Sequence, residues 1–293
     1  MGGVPGMSFA KYVQEARNKS ELKQEPLAIT KANIAKIVSY CQQKRQDWVF
    51  FVTGLEGSGK STLAAQLAKI LDPEFSLKEG MIYDFRDSEH SFINFMLKYQ
   101  DIPYKVAWYD EAVTVLFSQQ HNTRDSALAQ KIFKIKRDCR HYDILVSPSF
   151  WDIVPDIRER RVKSLLYCFT TIHHPAQGRT EFRYHVAYFS GEKIIRLSQN
   201  RKAKTAFRSY KALFKLVKPD YVEDFPELPS DFEKEYLKFK RDHRTGIIEA
   251  AAGIDETQGT NKLLQPESGK LDFTGVRQKL IEISGGAIEE CSE

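Results

Sequence analysis

From residue 47 to about residue 170, short apolar runs alternate with longer stretches whose apolar residues recur every three or four positions. The short runs read as buried strands and the periodic stretches as helices. Trp48–Thr53, Met81–Phe85, Lys105–Tyr109, Asp143–Ser147 and Ser164–Thr170 are five predicted strands. Between them, Ser61–Leu71 sets Leu63, Leu67, Ile70 and Leu71 on one face of a helix. Asp87 caps a helix carrying Phe92, Phe95 and Met96. Asp125–His141 aligns Leu128, Ile132, Ile135 and Cys139, and Asp152–Val162 forms a short helix. This alternation predicts an α/β fold, a mainly parallel sheet covered by helices on both faces. Past Thr170 the pattern changes. Glu181–Phe189 and Glu192–Leu197 are strand-like and flank Ser190-Gly191, which predicts an antiparallel hairpin at the sheet edge.

The flanks differ from this core. The first 28 residues are polar and charged, an arm with helical spacing over Phe9–Asn18 and nothing resembling a targeting signal in Met1–Met7. A helix follows over Thr30–Gln43, with Thr30 as its N-cap and Ile34, Ile37, Val38 and Cys41 on its inner face. Near the other end, Ser230-x-x-Glu233 is a capping-box pattern opening a helix with Phe232, Tyr236 and Phe239 on one side. From Gly246 onward the chain holds seven of its 16 glycines, which predicts a mostly flexible tail with one short helix at Val276–Ile283. The chain thus divides into an N-terminal arm and helix (1–45), an α/β core (46–197), a basic helical extension (198–246) and the tail (247–293). No internal repeat is present.

Composition narrows the class without naming it. With 42% hydrophobic and 28% charged residues the chain is ordinary globular protein, which excludes global disorder and collagen. The longest apolar stretches, Trp48–Val52 and Leu165–Phe169, fall far short of the ~20 residues of a membrane helix. Cys41, Cys139, Cys168 and Cys291 show no zinc spacing and read as reduced thiols of a cytoplasmic protein. His90 and His173-His174 likewise lack metal spacing.

One contiguous motif carries chemistry. Gly54-Leu55-Glu56-Gly57-Ser58-Gly59-Lys60-Ser61 satisfies G-x-x-x-x-G-K-[ST] between an apolar strand and an amphipathic helix. Glycines let the backbone approach phosphate, and successive N–H groups converge at a helix N-terminus whose dipole favours anions. Gly54, Glu56, Gly57, Ser58, Gly59, Lys60, Ser61 and Thr62 are therefore the candidate nucleotide-binding set. Lys60 reaches the β- and γ-phosphates, Ser61 joins a Mg²⁺ shell and Thr62 faces the α-phosphate. About fifty residues on, Val106–Tyr109 ends in Asp110-Glu111. Asp110 would hold Mg²⁺ through water, and Glu111 would polarise an attacking water as general base. ATP and Mg²⁺ are the predicted cofactors.

With these residues in place the chain resembles the additional-strand, catalytic-glutamate division of P-loop NTPases, which includes RecA-like, AAA+ and HerA/FtsK-like ATPases. The likeness rests on Gly54–Ser61, Asp110, Glu111 and the intervening strand Met81–Phe85. Within the division it is similar to HerA/FtsK-like and zonula-occludens-toxin-like ATPases of viruses and mobile elements, on three further features: Asp110–Ala112, the basic helix leading to Arg140–Ile144, and Pro148–Arg158. The resemblance spans about Trp48–Leu197. It implies a RecA-like fold, a catalytic glutamate, work in rings such as hexamers and a γ-phosphate sensor ending strand four. Such motors commonly carry Gln, Asn or Thr there, where this chain has Ser147 and Ser149.

Hydrolysis in this division also implies a cation on the γ-phosphate. Arg124, Arg137, Arg140, Arg158, Arg160 and Arg161 are the candidates, and Arg158 and Arg161 are placed with Lys60 and Glu111 in the catalytic set. The net charge of +5 is unevenly spread. Arg196, Arg201, Lys202, Lys204, Arg208, Lys211, Lys215 and Lys218 follow one another without an intervening acid, and the remainder is slightly acidic. Phe207, Tyr210 and Phe214 interleave at helical spacing and read as core. The cations suit a nucleic-acid backbone, DNA foremost. The expected function is an ATP-driven motor on nucleic acid, for translocation, packaging or remodelling, in the host cytoplasm if viral. A small-molecule kinase and a slowly hydrolysing ATP-gated adaptor are the alternatives.

Overall fold

The computed structural model describes residues 27–83, 90–110, 130–134, 136–173 and 181–251. Its centre is β1 (Trp48–Gly54), buried along nearly all its length. Such a strand needs helices on both faces, which is why it reads as a continuous apolar run. β1 pairs in parallel with β4 (Tyr142–Val146) on one side and β5 (Val162–His173) on the other. Beyond β4 lie β3 (Val106–Tyr109) and, at the edge, β2 (Met81–Ile82), both parallel. Beyond β5 come β6 (Glu181–Ser190) and β7 (Tyr221–Phe225), both antiparallel. The order is β2-β3-β4-β1-β5-β6-β7. Five parallel strands with two antiparallel strands at one edge bear out the expected mainly parallel α/β sheet. The strand lying between β1 and β3 is β4, whereas β2, which intervenes in sequence, lies outside β3.

The pleat sends alternate side chains to two cores. Phe50 and Val52 join Ile34, Ile37 and Cys41 of α1 (Ala28–Lys44) and Leu63 and Leu67 of α2 (Lys60–Leu71). On this face too is Leu77 of the one-turn α3 (Leu77–Gly80). Val49 and Phe51 face Phe92 and Phe95 of α4 (Phe92–Tyr99) and Ile157 of α5 (Pro155–Arg160). The same core takes Ile194 and Leu197 of α6 (Gly191–Gln199), Ala203 of α7 (Arg201–Ala206) and Phe214 of α8 (Tyr210–Leu216). The last helix, α9 (Ser230–Ala251), crosses the boundary between two compact units, Met1–Phe239 and Lys240–Glu293. In the second unit the described residues, 240–251, are helical.

Several expectations need correction. Glu192–Leu197 is helix α6, not a strand: Ile194 and Leu197 are buried and Ile195 is 41% exposed, a helical phase. The antiparallel edge is formed instead by β6 against β5 and β7. Thr30 is not an N-cap. Leu27 occupies that position at φ +60° with no side-chain cap. The carboxylate of Glu223 on β7 substitutes, accepting from the backbone N–H of Ile29 (2.8 Å) and Thr30 (3.0 Å) and from the Thr30 hydroxyl (2.9 Å). Ser91, not Asp87, caps α4, through Asn94 N–H; Asp87 lies outside the described residues. Of the helix expected over Asp125–His141, residues 130–134 are helical and Lys136–Cys139 tightens into a 3-10 turn. Asp152–Val162 splits into a 3-10 turn, Phe150–Asp152, and α5. The short helix expected at Val276–Ile283 lies outside the described residues.

Candidate nucleotide site

β1 delivers the glycine loop to the C-terminal edge of the parallel strands, and α2 begins at Lys60. Gly57 and Gly59 sit at φ +71° and +81°, the left-handed region where a side chain is strained. Gly59 is also pressed from outside. A Cβ there would meet the Tyr184 ring at 2.9 Å and Phe225 at 3.0 Å, so β6 and β7 brace the loop. The Lys60 ammonium donates to the Leu55 carbonyl (2.9 Å), folding back over the loop it serves. Ser58 is buried, and its hydroxyl has no hydrogen-bond partner among the described residues. A buried orphan of this kind, in a glycine loop that opens a helix, fits an oxyanion of a phosphate chain. Glu56 is exposed at the rim, and Thr62 is half-buried in the first turn of α2.

Across β4, Asp110 ends β3 and is 3% exposed. Ser61 Oγ donates to its Oδ1 at 3.4 Å, so the two residues assigned to Mg²⁺ face each other. Its Oδ2 accepts from the Tyr236 hydroxyl of α9 at 3.1 Å. Tyr236 is a contact that sequence reasoning does not assign to the site. The sequence marks it only as one of three aromatics on a helix face. Glu111 and Arg124 lie outside the described residues.

At the end of β4, Ser147 is fully buried, with its hydroxyl toward the Ser149 carbonyl (3.1 Å) and Asp152 Oδ2 (3.4 Å). Burial pushes the Asp152 carboxyl up from its ordinary value; the hydroxyls of Ser147 and Ser149 and the charge of Lys204 pull the other way. Burial also pushes the Cys168 thiol far up, with Lys60 opposing, so Cys168 is an inert thiol beneath the loop.

The arginines are placed elsewhere. Arg161 is 4% exposed and donates to Asp47 Oδ2 at 2.5 Å. Asp47 precedes β1 and Arg161 precedes β5, so this pair sits at the opposite sheet edge, roughly 20 Å from the loop at about 3.3 Å per strand residue. Arg158 is also buried, donating to Ser198 Oγ (2.8 Å) and the Ile153 carbonyl (3.2 Å) over the Phe150 ring. Burial lowers its pKa, with Glu159 opposing. Arg160 is exposed and pairs with Asp156 at 3.1 Å.

The basic segment is not one helix. α7 and α8 are separated at Phe207–Ser209, where Ser209 caps α8 through Ala212 N–H. Phe207 and Phe214 are buried and Tyr210 stacks on Phe169 (4.3 Å), so the aromatics are core. All eight cations are exposed. Arg196 pairs with Glu192.

No family model matches the chain, and neither does any curated protein. Among solved structures it is similar to the N-terminal domain of zonular occludens toxin from Neisseria meningitidis, at 11% identity and TM-score 0.32 over 50% of this chain and 84% of that one. It is similar to the genome packaging NTPase B204 of Sulfolobus turreted icosahedral virus 2, at 15% identity and TM-score 0.35 over 63% and 98%. The VirB11 ATPase of the Brucella suis type IV secretion system matches at 10% identity and TM-score 0.27 over 68% and 67%. At such identities and scores no function transfers from them. Among the described residues no helix is long and apolar enough to cross a membrane.

Proposed function

We propose that this protein is a P-loop ATPase that works on nucleic acid, DNA foremost. The observation that carries the reading is the meeting of Ser61, in the first turn of α2, and Asp110, just past β3, beside a glycine loop held in left-handed backbone. Loop N–H groups and Lys60 would take the phosphates, and Ser61 and Asp110 the shell of a Mg²⁺. Bound there, the ion would neutralise charge on the β- and γ-phosphates. Glu111, next to Asp110 in sequence, would take a proton from the attacking water. The DNA part rests on the eight exposed cations of Arg196–Lys218. Arg158 and Arg161 are engaged inside the fold. A γ-phosphate cation would therefore come from another residue or from a neighbouring copy in a ring.

The test is ATP turnover with and without single- and double-stranded DNA, with particle mass measured in the presence of ATP. Stimulation by DNA and an ATP-dependent oligomer are expected. Changing Lys202, Lys204, Arg208 and Lys211 to Glu should weaken DNA binding and flatten its log–log salt dependence by about 0.9 for each phosphate no longer neutralised. An unchanged affinity and slope would remove the segment from the DNA-binding surface. Phosphate transfer to a metabolite would select the kinase reading. ATP-dependent partner binding without turnover would select the adaptor.

A further inference from the structure

Resting on that reading of the nucleotide site, we infer that Tyr236, from the helix C-terminal to the basic segment, is a positioning residue for Asp110. Its hydroxyl fixes the plane of the carboxylate so that Oδ1 is presented toward Ser61 and the Mg²⁺. The geometry is specific. A phenol can only donate to a carboxylate, and this one reaches Oδ2 at 3.1 Å while Ser61 meets Oδ1 at 3.4 Å. Both carboxylate and phenol are nearly excluded from solvent, at 3% and 6% exposure.

The ring is held independently of the hydroxyl. It stacks on Trp108, two residues before Asp110 on the same strand, at 5.5 Å and 14°. Phe232, one turn earlier on α9, lies under the Lys69 ammonium of α2 at 5.9 Å. Phe239, one turn later, stacks on Tyr83 just past β2 at 5.7 Å. One face of α9 is thereby pinned to α2, β3 and the chain leaving β2, three elements that surround the Ser61–Asp110 pair. Outer partners of this kind orient metal-binding carboxylates, and removing one typically weakens metal binding about 10–100-fold. The C-terminal extension is therefore part of the metal end of the nucleotide site.

The experiment is equilibrium binding of a fluorescent ADP analogue to the full chain, in EDTA and over a magnesium titration. Tyr236→Phe keeps the ring and its stack and removes only the donor. Its affinity in EDTA should match wild type, while the magnesium concentration giving half of the metal-dependent tightening should rise about tenfold. Asp110→Ala should abolish the tightening. If it does so and Tyr236→Phe keeps the wild-type requirement, the positioning role is overturned and the nucleotide site stands. If Asp110→Ala leaves the magnesium response intact, the reading of the site itself fails and takes the inference with it. Phe239→Leu loosens the same helix without touching the hydroxyl. It should lower the unfolding temperature and leave the magnesium requirement unchanged. A shift as large as that of Tyr236→Phe would reduce the contact to helix docking and overturn the assignment.

Discussion

The two edges of the parallel sheet both bury carboxylates, and they treat them in opposite ways. At the C-terminal edge Asp110 is met by two hydroxyls, those of Ser61 and Tyr236. At the N-terminal edge Asp47 is met by Arg161 and Lys163, and Asp143 by Lys136 and, at 3.3 Å, the Tyr109 hydroxyl. A hydroxyl orients a carboxylate without cancelling its charge, whereas a buried cation cancels it and the pair becomes part of the fold. The lower edge is thus charge-paired, although Arg161 Nε and Nη1, Asp143 Oδ2 and His141 Nδ1 have no hydrogen-bond partner among the described residues. Lys136 is caged by the rings of Phe92, Tyr109 and Phe133, and burial lowers its pKa while Asp143 holds it up. The upper edge carries left-handed glycines, a backbone that only glycine takes without strain, and the orphaned Ser58 hydroxyl. Unmet polarity therefore occurs at both edges, at Ser58 Oγ above and at Arg161, Asp143 and His141 below, so what separates the edges is the chemistry that meets each carboxylate, hydroxyls above and cations below.

The sharpest way to break this contrast is at Lys60. Lys60→Ala should lower nucleotide affinity or turnover by two orders of magnitude or more, about 3 kcal/mol or greater, while the urea midpoint stays within experimental error of wild type. Isothermal titration and urea unfolding on the same preparation read both quantities. Unchanged turnover would remove the glycine loop from nucleotide chemistry.

The mirror experiment is Arg161→Ala. It leaves Asp47 buried with only Lys163 nearby, at 3.5 Å, and should cost about 3 kcal/mol of stability, the lower end for breaking a buried pair. Nucleotide affinity per folded molecule should not change. If turnover collapsed at wild-type stability, Arg161 would be acting on phosphate and the two edges would not differ as described.

These two residues also show what the sequence can carry. Lys60 is legible because the loop's requirements, glycine spacing, a preceding strand and a following helix, are all local. Asp110 is legible because a strand that ends in an acid declares its position relative to the loop. The partner of Arg161 is Asp47, 114 residues away, and only packing can reveal it. The Tyr236–Asp110 contact spans 126 residues and is hidden for the same reason. Helix α6 reads as a strand because Ile194 and Ile195 carry β-propensity, which tertiary burial of Ile194 with Leu197 overrides. β7 escapes the hydrophobic pattern because adjacent acids, Glu223 and Asp224, interrupt its alternation, yet one of them, Glu223, is there to cap a helix whose own N-terminus supplies no cap.

The smallest effect expected belongs to the lower edge, where the closed network includes one group able to open it near neutral pH. His141 is fully buried, and its Nε2 lies 2.9 Å from the Tyr99 carbonyl. A carbonyl only accepts, so Nε2 carries the proton and Nδ1 is bare; Nδ1 has no hydrogen-bond partner among the described residues. Burial pushes the pKa below the ordinary 6.5, and Lys136 pushes the same way against Asp143 and the carbonyls of Tyr99 and Ile102. The unfolded chain therefore takes up a proton that the folded chain refuses. Stability from this group is fully present above pH 6.5 and is lost as pH falls below it, by at most about 1.4 kcal/mol per pH unit, until the folded pKa is passed. His141→Gln keeps a donor for the Tyr99 carbonyl and removes the titration. It should be less stable at pH 7.5 and should show a flatter fall in urea midpoint between pH 7.5 and 5.5. Equal slopes in the two proteins would show that protons reach the lower edge without cost, and that it is less closed than its ion pairs imply.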